Sequence, residues 1–162
     1  SRWAESLLAD DHCVTYIATG MKRNDDPEWV ERLRIHHERR PSHWSVLEPG
    51  PELIQSLQSI ESMQSVLVDS LGGFVANHLD LDGSAWAEQS EKLIFTLLHR
   101  SFKCVVVIEE TGWGVVPPTQ IGGLFRDRLG QLAQQLDQIA DLSWLVLQGR
   151  AVDLRAISHP VP

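Results

Sequence analysis

No apolar run in this chain approaches the about 18 residues needed to cross a bilayer, and the N-terminus does not resemble a signal peptide. A soluble, cytoplasmic protein with no membrane span is therefore expected. Positive charge is scarce: 14 Lys and Arg stand against 22 Asp and Glu, a net charge of −8. That balance offers no bulk attraction to nucleic acid or to an anionic membrane, so any phosphate recognition has to be local. Cysteine is limited to Cys13 and Cys104. Each opens an apolar β-like run and reads as a buried thiol in a reducing compartment, not as a redox pair. Repeats, low-complexity tracts and linker-like stretches are absent as well. The 162 residues, 43% of them hydrophobic, thus read as one domain, residues 1–162, with enough apolar matter for a core.

Short apolar runs alternate with longer amphipathic segments. The runs are CVTYIA (Cys13 to Ala18), SVLVD (Ser65 to Asp69), KCVVVIE (Lys103 to Glu109) and SWLVLQG (Ser143 to Gly149). They are apolar on both faces, as buried parallel strands are when helices cover both sides of a sheet. Helical patterns fall at Arg2 to Ala9, Pro27 to Arg39, Pro51 to Met63, Ser84 to Phe102 and Gln120 to Ile139. The alternation predicts an α/β fold with a mostly parallel sheet, in which ligands bind beyond the carboxyl ends of the strands. The Pro-rich tail after Ser158 is expected to fray. The first helix has no strand ahead of it, which predicts a strand and turn missing there. Ser1 then has two readings, the last residue of a phosphate loop or an ordinary helix N-cap.

The segment Tyr16 to Trp44, YIATGMKRNDDPEWVERLRIHHERRPSHW, carries the most chemistry. Asp26 followed by Pro27 starts a helix, and Pro41 stops it. Arg32, His36 and Arg39 or Arg40 are spaced three or four residues apart and share a face, a local cationic stripe in an acidic protein. Neighbouring cations disfavour the imidazolium, so a histidine there tends towards its neutral, nucleophilic form. The arginines can hold phosphate oxygens by forked hydrogen bonds and offset developing charge. The stripe is equally readable as a solvated, charge-rich helix face. His37 shares a row with Trp29 and Leu33, which places it at the core edge.

Several motifs in this order resemble one family. They are Tyr16-Ile17-Ala18-Thr19, Asp26-Pro27-Glu28-Trp29, Arg32-Leu33-x-x-His36-x-x-x-Arg40-Pro41-x-x-Trp44, Glu48-Pro49, Asp69 with Asn77, Glu110-x-Gly112-x-Gly114-Val115-Val116-Pro117, Phe125-Arg126-Asp127-x-x-Gly130 and Ala140-Asp141-x-x-Trp144. Together they are similar to the bifunctional adenosylcobinamide kinase and adenosylcobinamide-phosphate guanylyltransferase family of cobalamin biosynthesis. The likeness runs over nearly the full length. It implies a P-loop NTPase-like (RecA-type) sheet with helices on both faces. It also implies that Ser1-Arg2-Trp3-Ala4-Glu5 begins at the final serine of a phosphate loop whose earlier part, with the first strand, is absent from this sequence.

The resemblance implies two consecutive reactions, phosphorylation of adenosylcobinamide by a nucleoside triphosphate (ATP or GTP) and transfer of GMP from GTP to adenosylcobinamide phosphate through a guanylyl-histidine. His36 aligns with that nucleophile. Ser1 and Asp69 align with the residues that hold Mg2+. Ala18, Thr19, Gly20, His37, Glu38, Arg39, Arg40 and Glu48 align with nucleotide-binding positions, together with Ser1 and Asp69. Subunits of the family are expected to associate, as a trimer. Four positions depart from the family pattern: Ser70 stands for Cys, Gly72 for Thr, Glu109 for Asn and Ala133 for Asn, and about two residues are added around Lys22 to Asn24. The intact His36 motif favours nucleotidyl transfer. The departures bear on the kinase step, and they motivate a second reading, a regulatory or scaffold domain that binds nucleotide without transferring it.

Overall fold

The computed structural model describes residues 1–20, 31, 34–35, 38 and 40–161. Within them, Val14–Ala18 (β1), Ser45–Leu47 (β2), Ser65–Asp69 (β3) and Lys103–Val107 (β4) form one sheet in the order β2-β1-β3-β4. Every pairing is parallel. Parallel neighbours require crossover connections; these carry the helices Leu53–Gln58 (α2), Leu71–Ala76 (α3) and Gly83–Leu98 (α4), while Arg2–Ser6 (α1) precedes the first strand and Gln120–Ile139 (α5) follows the last strand of the sheet.

Side chains alternate between the two faces of the strands, and the core divides accordingly. Val14, Tyr16 and Leu67 pack with Ala4, Leu8 and Trp44 on one face. Ile17, Val66 and Val68 pack on the other against Leu53 and Leu57 of α2, Phe74 of α3, Leu93 and Leu97 of α4, and Leu129 and Leu132 of α5. Both faces are thus covered, in the parallel α/β, P-loop NTPase-like arrangement that the sequence implies. Val14 to Ile17 and Ser65 to Val68 are buried, whereas β4 is only half-buried. Among the described residues, β4 pairs with β3 alone.

Local chemistry fixes the long helices. Asp82 caps α4 by accepting from the Ala85 N–H at 2.8 Å, and Thr119 caps α5 through the Gly122 N–H at 3.2 Å. Arg128 of α5 is buried, and its guanidinium donates to the carbonyls of His78 (2.7 Å) and Leu81 (2.6 Å) while lying 5.0 Å from the centre of the Trp86 ring. It fastens the α3–α4 connection to α5. No helix among the described residues is long and apolar enough to cross a membrane.

Some elements differ from the sequence reading. The fourth apolar run does not join the parallel sheet. Trp144–Leu147 (β5) instead forms an antiparallel hairpin with Arg150–Asp153 (β6). Leu147 pairs with Arg150, leaving Gln148 and Gly149 as a two-residue loop with φ of 51° and 75°. Two successive positive φ values give a loop whose twist matches that of the flanking strands, so the apolar run ends in a reversal and not in a crossover. A last turn, Leu154–Ile157 (α6), is capped by Asp153. The short edge strand β2 and the glycine-bearing α3 were not predicted. The predicted ends of the first, third and fourth helical segments overshoot α1, α2 and α4 by three to five residues at their widest. Cys13 is exposed and precedes β1 by one residue, contrary to the buried thiol expected of it. Cys104 sits within β4, where desolvation pushes its thiol up to about 12. The helix expected over Pro27 to Arg39 falls largely outside the described residues, of which Glu31, Arg34, Ile35 and Glu38 are helical.

Candidate nucleotide site

The carboxyl ends of β1 and β3 meet in register, Ala18 opposite Asp69. Tyr16 lies two residues earlier on the same face of β1, and its phenol donates a 2.8 Å hydrogen bond to Asp69 Oδ2. Tyr16 is buried, and a buried phenol needs such a partner. Desolvation, followed by the negative charge of Asp69, holds its pKa well above the ordinary phenol value. The Arg40 guanidinium lies over the other side of this unit, 4.0 Å from the centre of the Tyr16 ring. Cation, ring and carboxylate therefore form one chain from the Pro41 stop to the end of β3.

Thr19 ties the same strand ends together from within. It is fully buried. Its N–H donates to the Asp69 carbonyl at 3.3 Å, its hydroxyl donates to the Ser70 carbonyl, and it accepts from the Ser70 N–H at 3.1 Å. Asn77 Nδ2 lies 3.5 Å from the Thr19 carbonyl. Gly73 faces this knot so closely that a Cβ there would lie 2.6 Å from the Thr19 carbonyl carbon. The side chain of Thr19 thus orders the β3–α3 turn, and the backbone it orders carries Asp69.

The other sequence-predicted residues are distributed as follows. Gly20 is exposed just beyond β1, and Ala18 is half-buried at its end. Glu48 is exposed immediately after β2, and the register of Ile17 with Leu47 carries it to the level of Ala18. These residues therefore line one edge of the sheet with Asp69. Ser1 is the N-cap of α1 and makes no side-chain capping bond. Glu38 is exposed and accepts from Arg34 at 2.5 Å, while Glu31 takes the same guanidinium at 2.6 Å. His36, His37 and Arg39 lie outside the described residues, as does Arg32. Gly112 makes a local turn in which its N–H reaches Glu110 Oε1 at 2.7 Å, and Gly114 has only the Thr111 carbonyl nearby. No group of three or more His, Cys, Asp or Glu side chains converges among the described residues.

The contribution of Tyr16 to the site was not read from the sequence. The available signal was that it is the chain's single tyrosine, set in an apolar strand where its hydroxyl has to find an acceptor.

Chemically, this edge offers an acid on a strand end, a guanidinium held over an aromatic ring, and backbone fixed by buried hydrogen bonds. Such a set can orient a nucleoside phosphate and balance its charge. The family described as cobinamide kinase / cobinamide phosphate guanyltransferase matches residues 1–154. Among the relatives, the chain is 32% identical to the bifunctional adenosylcobalamin biosynthesis protein CobU of Escherichia coli (strain K12), with 96% of this chain and 93% of that protein covered. It is 30% identical to the protein of the same name from Salmonella typhimurium, over 96% and 93%, and 32% identical to the bifunctional adenosylcobalamin biosynthesis protein CobP of Pseudomonas aeruginosa, over 96% and 90%. With matched positions spanning both the strand ends and the helices behind them, the chain belongs to the cobinamide kinase and cobinamide phosphate guanyltransferase family.

Proposed function

We propose that the protein works as a single nucleotide-binding unit that carries out both transfers. It phosphorylates adenosylcobinamide with ATP or GTP and then moves GMP from GTP onto adenosylcobinamide phosphate. In the second reaction a neutral ring nitrogen of His36 attacks the α-phosphorus of GTP. The new P–N bond forms as the bond to pyrophosphate breaks, and pyrophosphate carries away the electron pair. A phosphate oxygen of the corrinoid then attacks the same phosphorus, forming a phosphoanhydride and returning the electron pair to His36. One difficult displacement becomes two easier ones.

The observation that carries this reading is the Arg40–Tyr16–Asp69 chain. It sets Arg40, four residues after His36 in sequence, beside the acid of β3, so that a nucleotide at the sheet edge meets both charges. In this reading Arg40 and Arg39 offset phosphate charge, Glu38 and His37 flank the nucleophile, and Ala18, Thr19, Gly20 and Glu48 shape the nucleotide site. The oxygen donors available at Asp69 and Ser1 are hard ligands of the kind Mg2+ takes, which commonly binds through one or two protein side chains plus substrate phosphates. Those two residues would hold the ion, and when bound it neutralises phosphate charge. We also place the protein in the cytoplasm as a homo-oligomer, a trimer by family resemblance. Exposed Trp113, Val115, Val116 and Ile121 supply apolar surface for such association.

The test is incubation with GTP labelled at either the α or the γ phosphate. Label should stay on the protein, in an acid-labile bond, from the α position only, and His36→Asn should abolish it. Retained label in His36→Asn would move the nucleophile elsewhere. Absence of label in the unaltered protein would sink the covalent route.

A further inference from the structure

Gly72, Glu109 and Ser70, which in sequence look like three separate departures from the family pattern, are one contact. The Glu109 carboxylate lies over the start of α3. Its Oε2 accepts from the Gly72 N–H at 2.9 Å, and its Oε1 accepts from the Ser70 hydroxyl. Ser70 is the N-cap of α3 yet makes no capping bond with its own side chain, so the donor normally taken by the cap oxygen goes to Glu109 instead. The carboxylate also fills the space beside residue 72. A Cβ there would meet Oε2 at 2.6 Å and the Glu109 carboxyl carbon at 2.8 Å.

We infer that Glu109 is a positioning residue for Asp69, acting through the Ser70–Gly72 turn and standing in for the side chain that position 72 lacks. The Asp69–Ser70 link is gripped from the β1 side by Thr19, through the Asp69 carbonyl and the Ser70 N–H and carbonyl. Glu109 grips it from the β4 side. Removing that second hold frees the turn on which Asp69 depends. This inference rests on reading Asp69 as part of the nucleotide site.

Because the carboxylate is the far end of a flexible side chain, a residue larger than Gly at 72 evicts it without breaking the backbone. Two predictions follow from eviction: Gly72→Thr should harm the protein only while Glu109 is present, and Glu109→Asn should make room for it.

The experiment compares the unaltered protein with Gly72→Thr, Glu109→Asn, Glu109→Gln and the double variant Gly72→Thr/Glu109→Asn. Thermal unfolding needs no substrate. Gly72→Thr should lower Tm by about 3 °C in the Glu109 protein and leave Tm unchanged or raised in the Glu109→Asn protein. Equal losses in both backgrounds would overturn the shared-space argument. In the kinase reaction Glu109→Asn should lower kcat about tenfold, as loss of a supporting contact typically does, with KM for the nucleotide nearly unchanged. Glu109→Gln, which keeps an acceptor for the Gly72 N–H, should recover most of it. Wild-type kcat in Glu109→Asn would overturn the positioning role. Wild-type kcat in Asp69→Asn would remove the reading of Asp69, and the role of Glu109 with it, whatever coupling the melting temperatures reveal.

Discussion

Tyr16 and Asp69, on adjacent parallel strands, share a 2.8 Å hydrogen bond in which the phenol is the donor. The bond joins a ring over which Arg40 lies to the acid at the end of β3, so a single side chain touches both charges.

Tyr16→Phe should lower stability by about 1 kcal/mol, the net worth of an intramolecular hydrogen bond. Because Asp69 then loses its donor while Arg40 keeps its ring, the kinase step should suffer more than guanylyl transfer. Unfolding in urea and separate assays of the two steps provide the check.

The raised pKa of Tyr16 makes a signed prediction. The folded state favours the neutral phenol, so the contribution is fully present below the ordinary phenol pKa of about 10. It is lost as pH rises through the higher folded value. Stability should decline on the alkaline side, and Tyr16→Phe should remove that part of the decline. Since the chain has a single tyrosine, tyrosinate absorbance follows this group alone. It should appear at higher pH in the folded protein than in urea, and coincident curves would refute the assignment.

Arg128→Met tests the buried clamp on α5. The Leu81 carbonyl loses its Arg128 donor and the His78 carbonyl keeps only the Leu81 N–H at 3.3 Å, in a site where Arg128 is only 4% exposed. Stranding the Leu81 carbonyl should cost about 2 kcal/mol, seen as a lower urea midpoint. The α-phosphate labelling of the protein that remains folded should be unaffected.

Gly73→Ala places a methyl group against the Thr19 carbonyl, and backbone on both sides has to move. A loss of about 2 kcal/mol is expected. In contrast to position 72, no second-site change of Glu109 should relieve it, which calorimetry of the paired variants would reveal.

Much of the fold was legible because the signals were local. The runs at β1, β3 and β4 are apolar on both faces, and the helical patterns from Ser84 and Gln120 fall on α4 and α5. The run at Trp144 had the same composition as a parallel strand. What separated it was the conformation of Gln148 and Gly149, and glutamine is an unusual residue for positive φ. At the candidate site, Asp69, Thr19 and Arg40 were expected from the resemblance. Their connection through Tyr16 was not, because a pairing register is needed to bring position 16 beside position 69. Glu109 and Gly72 stood out only as separate oddities, since nothing in a linear reading tells that one fills the space beside the other.

The topology also accounts for where this chain can vary in length. It leaves the sheet at Ala18 and returns at Ser45 on the neighbouring strand, so the whole excursion that contains His36 is a closed loop whose anchor points are fixed by the sheet. Closure entropy grows only with the logarithm of loop length, about 0.6 kcal/mol for a doubling. An addition of two residues to such a span therefore alters closure by a small fraction of that. The parallel register fixes both ends of this excursion, Ala18 opposite Asp69 and Ser45 opposite Thr15, so the strand end that carries Asp69 is set by pairing and not by the length of chain between them.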